Sequence, residues 1–293
     1  MTAVKTHIDR PLHGMLCALA AFFLFAVMNA LAKMLAETHH VAEIAFYRNL
    51  VAVIPMLLWV YAMNNRHVLT IHSHPRGIIA RAVLGTISLM VTFAAYAAMP
   101  FADTTAFLFA SSLIVPVFGF FFLSERVGIY RWGAILVGFI GVLIMCQPTG
   151  DVNTIGISLA LSAALIHATL QTIVRALGKT ESPATVTFYF VFIGMFVSLI
   201  PMPFVFTMPT WNEVPLIIGV GLTGLMAQLF ISRAYKYAQA SIVTVFNYSG
   251  IIWAMLIGWI VWDEFPTHVI LTGASIVIAS NLFILYRENK LAR

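Results

Sequence analysis

Residues 14–47, GMLCALAAFFLFAVMNALAKMLAETHHVAEIAFY, and residues 156–189, GISLALSAALIHATLQTIVRALGKTESPATVTFY, carry one pattern written twice. They align without a gap, placing Asn29 on Gln171, Lys33 on Arg175, Thr38 on Thr180 and Phe46-Tyr47 on Phe188-Tyr189. A second pair of stretches, residues 85–125 and 224–264, follows in the same order, with Ala95-Tyr96 on Ala234-Tyr235 and Glu125 on Glu264. Self-similarity over two long intervals marks a duplicated unit. One repeat is therefore predicted over residues 12–147 and a second over residues 153–286.

The composition says what the unit is made of. Of 293 residues, 61% are apolar and 9% charged, with a mean hydropathy of +0.95. Soluble domains average roughly 45–50% apolar and about 25% charged. A chain this apolar cannot wrap its hydrocarbon in a polar surface, which excludes a soluble enzyme or binding module. Apolar runs between polar breaks predict ten helices, at 12–36, 41–63, 77–99, 101–123, 130–147, 153–177, 183–207, 214–237, 240–261 and 267–286. Most approach the length of about 20 residues that spans a bilayer, and Pro75, Pro100, Pro209 and Pro266 punctuate the joints. Helices and loops consume the chain, leaving no room for an extramembrane domain.

Charge gives orientation. With the N-terminus inside, fourteen of the sixteen Lys and Arg fall on inner segments, Arg76 and Arg81 among them, while Glu37, Asp151, Asp263 and Glu264 fall on outer ones. Positive charge marks the cytoplasmic side, so both termini are expected in the cytoplasm and the chain in a bacterial inner (plasma) membrane. Five helices per repeat is an odd number, so the second copy enters the membrane upside down. The expected fold is thus an all-α polytopic membrane protein with ten transmembrane helices in two inverted five-helix repeats. Inverted repeats are a mark of secondary transporters, in which two like halves exchange conformations around a central site. The net charge of +5 is scattered singly between apolar runs and gives no nucleic-acid footprint. Cys17 and Cys146 sit in apolar runs and read as small apolar residues.

The residues that open and close these helices carry a resemblance. Ile44-Ala45-Phe46-Tyr47-Arg48, Ala95-Tyr96, Leu123-Ser124-Glu125-Arg126 with Gly133, and in the second copy Ala234-Tyr235 and Trp262-Asp263-Glu264 with Gly273 resemble the drug/metabolite transporter superfamily in its ten-helix EamA-type branch. The likeness covers essentially the whole chain. It implies transport of amino acids, vitamins such as riboflavin, S-adenosylmethionine, metal-chelating metabolites or drugs, by uptake or export.

Polar side chains inside a bilayer are costly and face the bundle interior or a wet cavity. Asn29, His167, Gln171, Tyr189, Gln228, Asn247 and Tyr248 are the expected substrate-binding residues. His167 and Gln171, four apart, share a helix face. Interhelical hydrogen bonding is the alternative role for each. Arg48 lies about two turns inside its helix, and Glu43 and Asp103 are the acids nearest in sequence pattern, which suggests a gating pair or an anchor for an anionic group. A permanently anionic solute suits the set less, because Arg48 alone is deep and cationic. Lys33 is expected to pair with Glu37, and Glu125 and Glu264 to cap the helices that follow them. Pro116 is expected to kink the fourth helix. His72-Ser73-His74 reads as a solvated loop, with no third ligand at metal spacing.

The expected function is alternating-access transport of a small polar or aromatic organic metabolite, such as riboflavin, S-adenosylmethionine or an amino-acid-like solute. Export of amino acids, metal chelators or drugs in the same fold is the alternative. A membrane-embedded enzyme or a non-transporting scaffold is the rival of another class. No cofactor and no metal are expected. The partners are the solute and the lipid bilayer, without nucleic acid, and a homodimer is left open.

Overall fold

The computed structural model describes residues 11–123, 128–145, 153–177, 181–237, 243 and 246–291, which are helical and free of strands among the described residues. The helices are α1 (Pro11–Leu35), α2 (Val41–Ala62), α3 (Pro75–Ala98), α4 (Phe101–Leu108), α5 (Ser111–Leu123), α6 (Ile129–Met145), α7 (Thr154–Leu177), α8 (Pro183–Leu199), α9 (Met202–Val205), α10 (Val214–Tyr237), α11 (Ser249–Trp262) and α12 (His268–Leu291). Among the described residues, six segments are long and apolar enough to cross a membrane: Leu12–Leu35, Val41–Ala62, Pro75–Ala98, Phe101–Phe118, Thr154–Val174 and Val214–Ala234. Four shorter apolar helices accompany them, Trp132–Met145, Pro183–Leu199, Ser249–Trp262 and His268–Ile284. Exposed Leu58, Phe121, Leu143 and Ile200 would be a liability in water and are ordinary against lipid.

Local chemistry sets the helix ends. Pro75 and Pro183 open α3 and α8 at the first turn, where proline costs no hydrogen bond. Ser182 accepts from Thr185 N at 3.1 Å as an N-cap. Asn153 Oδ1 accepts from Ile155 N and Gly156 N, both at 3.1 Å, while its Nδ2 donates to Ala98 O. That one side chain caps α7 and ties it to the end of α3. Asp263, at φ 54°, turns the chain sharply after α11.

The fourth predicted helix is divided, but not at Pro116. It breaks at Phe109 and Ala110, where the backbone tightens into bonds from Phe109 N to Ala106 O, Ala110 N to Phe107 O and Ser112 N to Phe109 O. The hydroxyls of Ser111 and Ser112 donate to Leu108 O and Phe109 O at 2.8 and 2.6 Å. The Ser111 hydroxyl thereby satisfies Leu108 O, which a continuous helix would have bonded to Ser112 N, and the Ser112 hydroxyl adds a second bond to Phe109 O. The second copy breaks at Tyr248, the residue that aligns with Phe109, and Ile251 N donates to Tyr248 O just as Ser112 N donates to Phe109 O. The two broken places meet: the Phe109 and Tyr248 rings stack at 5.6 Å.

The most extensive helix pairings each join one helix from either half of the chain: α1 with α10, α6 with α12, α3 with α7 and α2 with α8. Where α6 crosses α12, a methyl on Gly141 would lie 2.7 Å from Gly273 O. Glycine there lets the two backbones touch.

Candidate functional site

One face of α3 is polar along most of its length. Arg81, Gly85, Ser88, Thr92 and Tyr96 follow at steps of three or four, a single helical stripe, and Ser88, Thr92 and Tyr96 are nearly or wholly buried. Each meets a different neighbour. Tyr96 Oη receives Asn29 Nδ2 from α1 at 3.4 Å and lies 3.0 Å from Thr105 Oγ1 of α4. Thr92 Oγ1 lies 3.4 Å from His167 Nε2 of α7. Arg81 stacks its guanidinium on Phe190 of α8, 4.3 Å from the ring centroid. The buried oxygens Asn29 Oδ1 and Ser88 Oγ have no protein partner. Open hydrogen-bonding capacity along a buried stripe is what a polar solute would complete.

Around this stripe the expected residues divide. His167 and Gln171 share an exposed face of α7, and Gln171 makes no side-chain hydrogen bond among the described residues. Asn247 and Gln228 are half-buried, and Tyr248 stacks on Phe109 at the meeting of the two broken helices. Tyr189 is engaged elsewhere: its hydroxyl donates to Leu69 O at 2.8 Å in the connection before α3.

Arg48 is 1% exposed, and neither expected acid reaches it. Glu43 takes the His39 ring, with Nδ1 at 2.8 Å, and accepts from Thr207 N at 3.1 Å. Asp103 lies at the start of α4 with Oδ1 unpartnered. Arg48 instead donates from Nη1 to Asn49 Oδ1 at 2.8 Å and lies over Phe190, 5.0 Å from the centroid.

Carboxylates tie the two halves together at their ends. Glu264 receives Lys33 Nζ at 3.0 Å on each oxygen and Phe101 N at 2.8 Å, while Lys33 also donates to Met99 O and sits 4.7 Å over the Trp262 ring. Lys33 therefore pairs with Glu264 rather than Glu37, and Glu264 caps α4 rather than the helix after it. Glu125, its counterpart, lies outside the described residues, as does Cys146. Glu213 bonds Thr38 Oγ1 at 2.6 Å and Thr210 N at 2.7 Å, and lies 3.3 Å from His39 Nε2. The Thr38 hydroxyl, then the Thr210 donors, pull its carboxyl down to about 2. On the other face Glu181 accepts the backbone N–H groups of His72, Ser73 and His74, at 2.7 Å from Ser73. Those donors, Ser73 first, hold its carboxyl below the usual range. The His72–His74 segment is thus a carboxylate nest rather than a free loop, and no metal-binding cluster occurs among the described residues.

Comparison with known proteins bears on the whole chain. The description "EamA-like transporter family" matches residues 12–147 and again residues 154–286. The chain belongs to the EamA-like transporter family. It is a multi-pass membrane transporter rather than an enzyme. The EamA-like chain is 29% identical to the pseudopaline exporter CntI of Pseudomonas aeruginosa strain UCBPP-PA14, over 91% of its own length and 94% of the exporter's. It is 28% identical to a riboflavin transporter of Vibrio cholerae serotype O1, over 99% and 98% of the two chains. It is 27% identical to an S-adenosylmethionine uptake transporter of Rickettsia prowazekii, over 98% and 96%. A solved crystal structure of a protein superposes with a TM-score of 0.67 at 14% identity, covering 96% of this chain and 99% of that one, a likeness of fold alone.

Within this EamA-like chain, sequence reading missed Arg81, Ser88 and Thr92. Arg81 was assigned to the inner surface because it lies near the start of its helix. The signal was the spacing of Arg81, Gly85, Ser88, Thr92 and Tyr96, a polar stripe on an otherwise apolar helix.

Proposed function

We propose that this chain is an inner-membrane carrier that moves a small polar or aromatic organic metabolite by alternating access. It has ten spans in two inverted repeats, residues 12–147 and 153–286, and both termini in the cytoplasm. The observation that carries this reading is the stacking of Phe109 on Tyr248, which joins two helix breaks at aligned positions of the two halves. Discontinuous helices meeting between repeats are where carriers of this kind place their solute. The cross-half helix pairings and the two family-matched stretches support the same arrangement. The solute site comprises Asn29, His167, Gln171, Gln228, Asn247 and Tyr248, extended by Ser88, Thr92 and Tyr96 of α3. Tyr189 supports the inner connection, and the Lys33–Glu264 tie replaces the Arg48 pair as the outer gate.

Riboflavin and S-adenosylmethionine, named by the relatives, are the first solutes to try. The test is counterflow in liposomes, in which unlabelled solute inside drives labelled solute inward. Saturable counterflow of one of them, or of another metabolite found in a thermal-shift screen, is expected. Non-saturable flux would identify a channel, and no flux of any solute would refute the carrier reading.

A further inference from the structure

Two arginines face one phenylalanine deep in the bundle. Arg48 of α2 and Arg81 of α3 lie 5.0 and 4.3 Å from the Phe190 centroid, so their charges are separated by no more than about one Debye length of 0.1 M salt, about 10 Å. Arg81 folds along its own helix. Its Nη1 lies against Gly85, one turn deeper along α3, in the space a methyl would fill. Arg48 lies beside Gly224 of α10, where a methyl would come within 2.8 Å of Met28 Sδ and 3.0 Å of Arg48 Nε. Gly85 and Gly224 are aligned positions of the two repeats. One guanidinium thus lies against each of these aligned glycines.

Neither arginine has a carboxylate within 4.0 Å among the described residues: Glu264, Glu43 and Glu181 are committed to Lys33, His39 and the 72–74 backbone, and Asp103 reaches neither guanidinium. Arg48 Nε, Arg81 Nε, Arg81 Nη1 and the neighbouring Asn49 Nδ2 are buried without any partner. All four are N–H donors. Two unpaired like charges and four unused donors in one apolar setting are expensive, and the partner that satisfies both deficits is an acceptor-only group of negative charge. Guanidinium forks match the oxygen spacing of carboxylates and phosphates.

We propose that Arg48 and Arg81 form an oxyanion-binding site, taking a carboxylate or phosphate group of the transported solute. Both guanidiniums pack against the Phe190 ring, and the solute's body extends along the α3 stripe toward Thr92 and Tyr96. The assignment to solute rests on the carrier reading; the anion site itself does not.

The test uses the purified full chain in detergent. Unfolding is followed in sodium phosphate and in disodium malonate, against sodium chloride of equal ionic strength. At an anion concentration about ten times its Kd, the wild type should gain about 3–6 °C in Tm over chloride. Arg81→Gln and Arg48→Gln should lose that gain with no fall in the Tm measured in chloride, because each removes a charge that has no carboxylate partner. Arg66→Gln, on the exposed connection before α3, should keep it. If one of the two buried-site variants is not recovered folded, the other decides. Phosphate alone shifting the Tm assigns a phosphate group, and malonate alone a carboxylate. Equal shifts in the wild type and Arg81→Gln would mean general salt stabilisation and overturn the site, as would no shift at all. Liposome counterflow runs beside it. An anion shift without counterflow of any solute leaves the site standing and removes the carrier reading, whereas counterflow without an anion shift removes the site alone.

Discussion

The Lys33–Glu264 tie is the contact whose loss should be felt furthest. Glu264→Gln removes a charge that holds Lys33 Nζ at 3.0 Å on both oxygens, while the amide oxygen can still accept from Phe101 N. A hydrogen bond to a charged group contributes about 1.5–3 kcal/mol, and an exposed ion pair about 0–1 kcal/mol. With side-chain exposures of 11% and 27%, the pair lies between these limits, so about 1–2 kcal/mol is at stake. If the tie is present only when the outer side is closed, that energy displaces the conformational balance by about 5–30-fold. Thr105, which is 8% exposed and follows one turn after Phe101 on α4, reports it. Maleimide labelling of Thr105→Cys in detergent, with Cys17 and Cys146 replaced by serine, should accelerate by that factor when Glu264→Gln is added. Lys33→Met should act alike, and the double variant should add little. A fall in Tm with an unchanged labelling rate would show that the tie holds the fold and gates nothing.

Other outcomes follow from the same geometry. Gln171→Leu, on an exposed face of α7 without a partner, should leave the ligand-free Tm unchanged and abolish the Tm shift given by a counterflow substrate; equal loss of both would assign Gln171 to helix packing. Gly141→Ala drives a methyl to 2.7 Å from Gly273 O, a backbone atom that cannot step aside, and should cost about 1–3 kcal/mol, visible as a lower Tm with a retained substrate shift. Glu213 has its carboxyl pulled from the usual 4.5 to about 2 in the folded chain. Its contribution is present above pH 4.5 and is lost as pH falls toward 2. Over that interval the Tm of the wild type should drop more steeply than that of Glu213→Gln, and parallel curves would refute the assignment.

Part of the proposed site was legible in the sequence. The aligned repeats pointed to Asn29 and Tyr248, and mid-span polarity pointed to His167, because a polar group in an apolar run stands out wherever its helix packs. Partners did not stand out. Lys33 was matched to Glu37, one turn away, yet bonds Glu264, which is 231 residues distant. Arg48 was matched to Glu43, one turn back, yet that acid is taken by His39. Lys33 is drawn to a distant helix, while Arg48 turns to Asn49 beside it and to the Phe190 ring of α8. The break before α5 at Phe109 had no mark in the sequence, because serine hydroxyls and the stacked Tyr248 ring decide where the backbone yields.

The sequence alone determined that this chain is a helical membrane transporter, for the number, length and hydropathy of its runs are properties a bilayer reads one segment at a time. Which side chains face each other was decided only in the tertiary structure. A polar stripe such as that of α3 marks a face as inward, but no pattern within one helix says whether that face meets α7, α8 or α10. That choice came from glycine clearances and committed carboxylates on distant helices, and it left Arg48 and Arg81 together on Phe190.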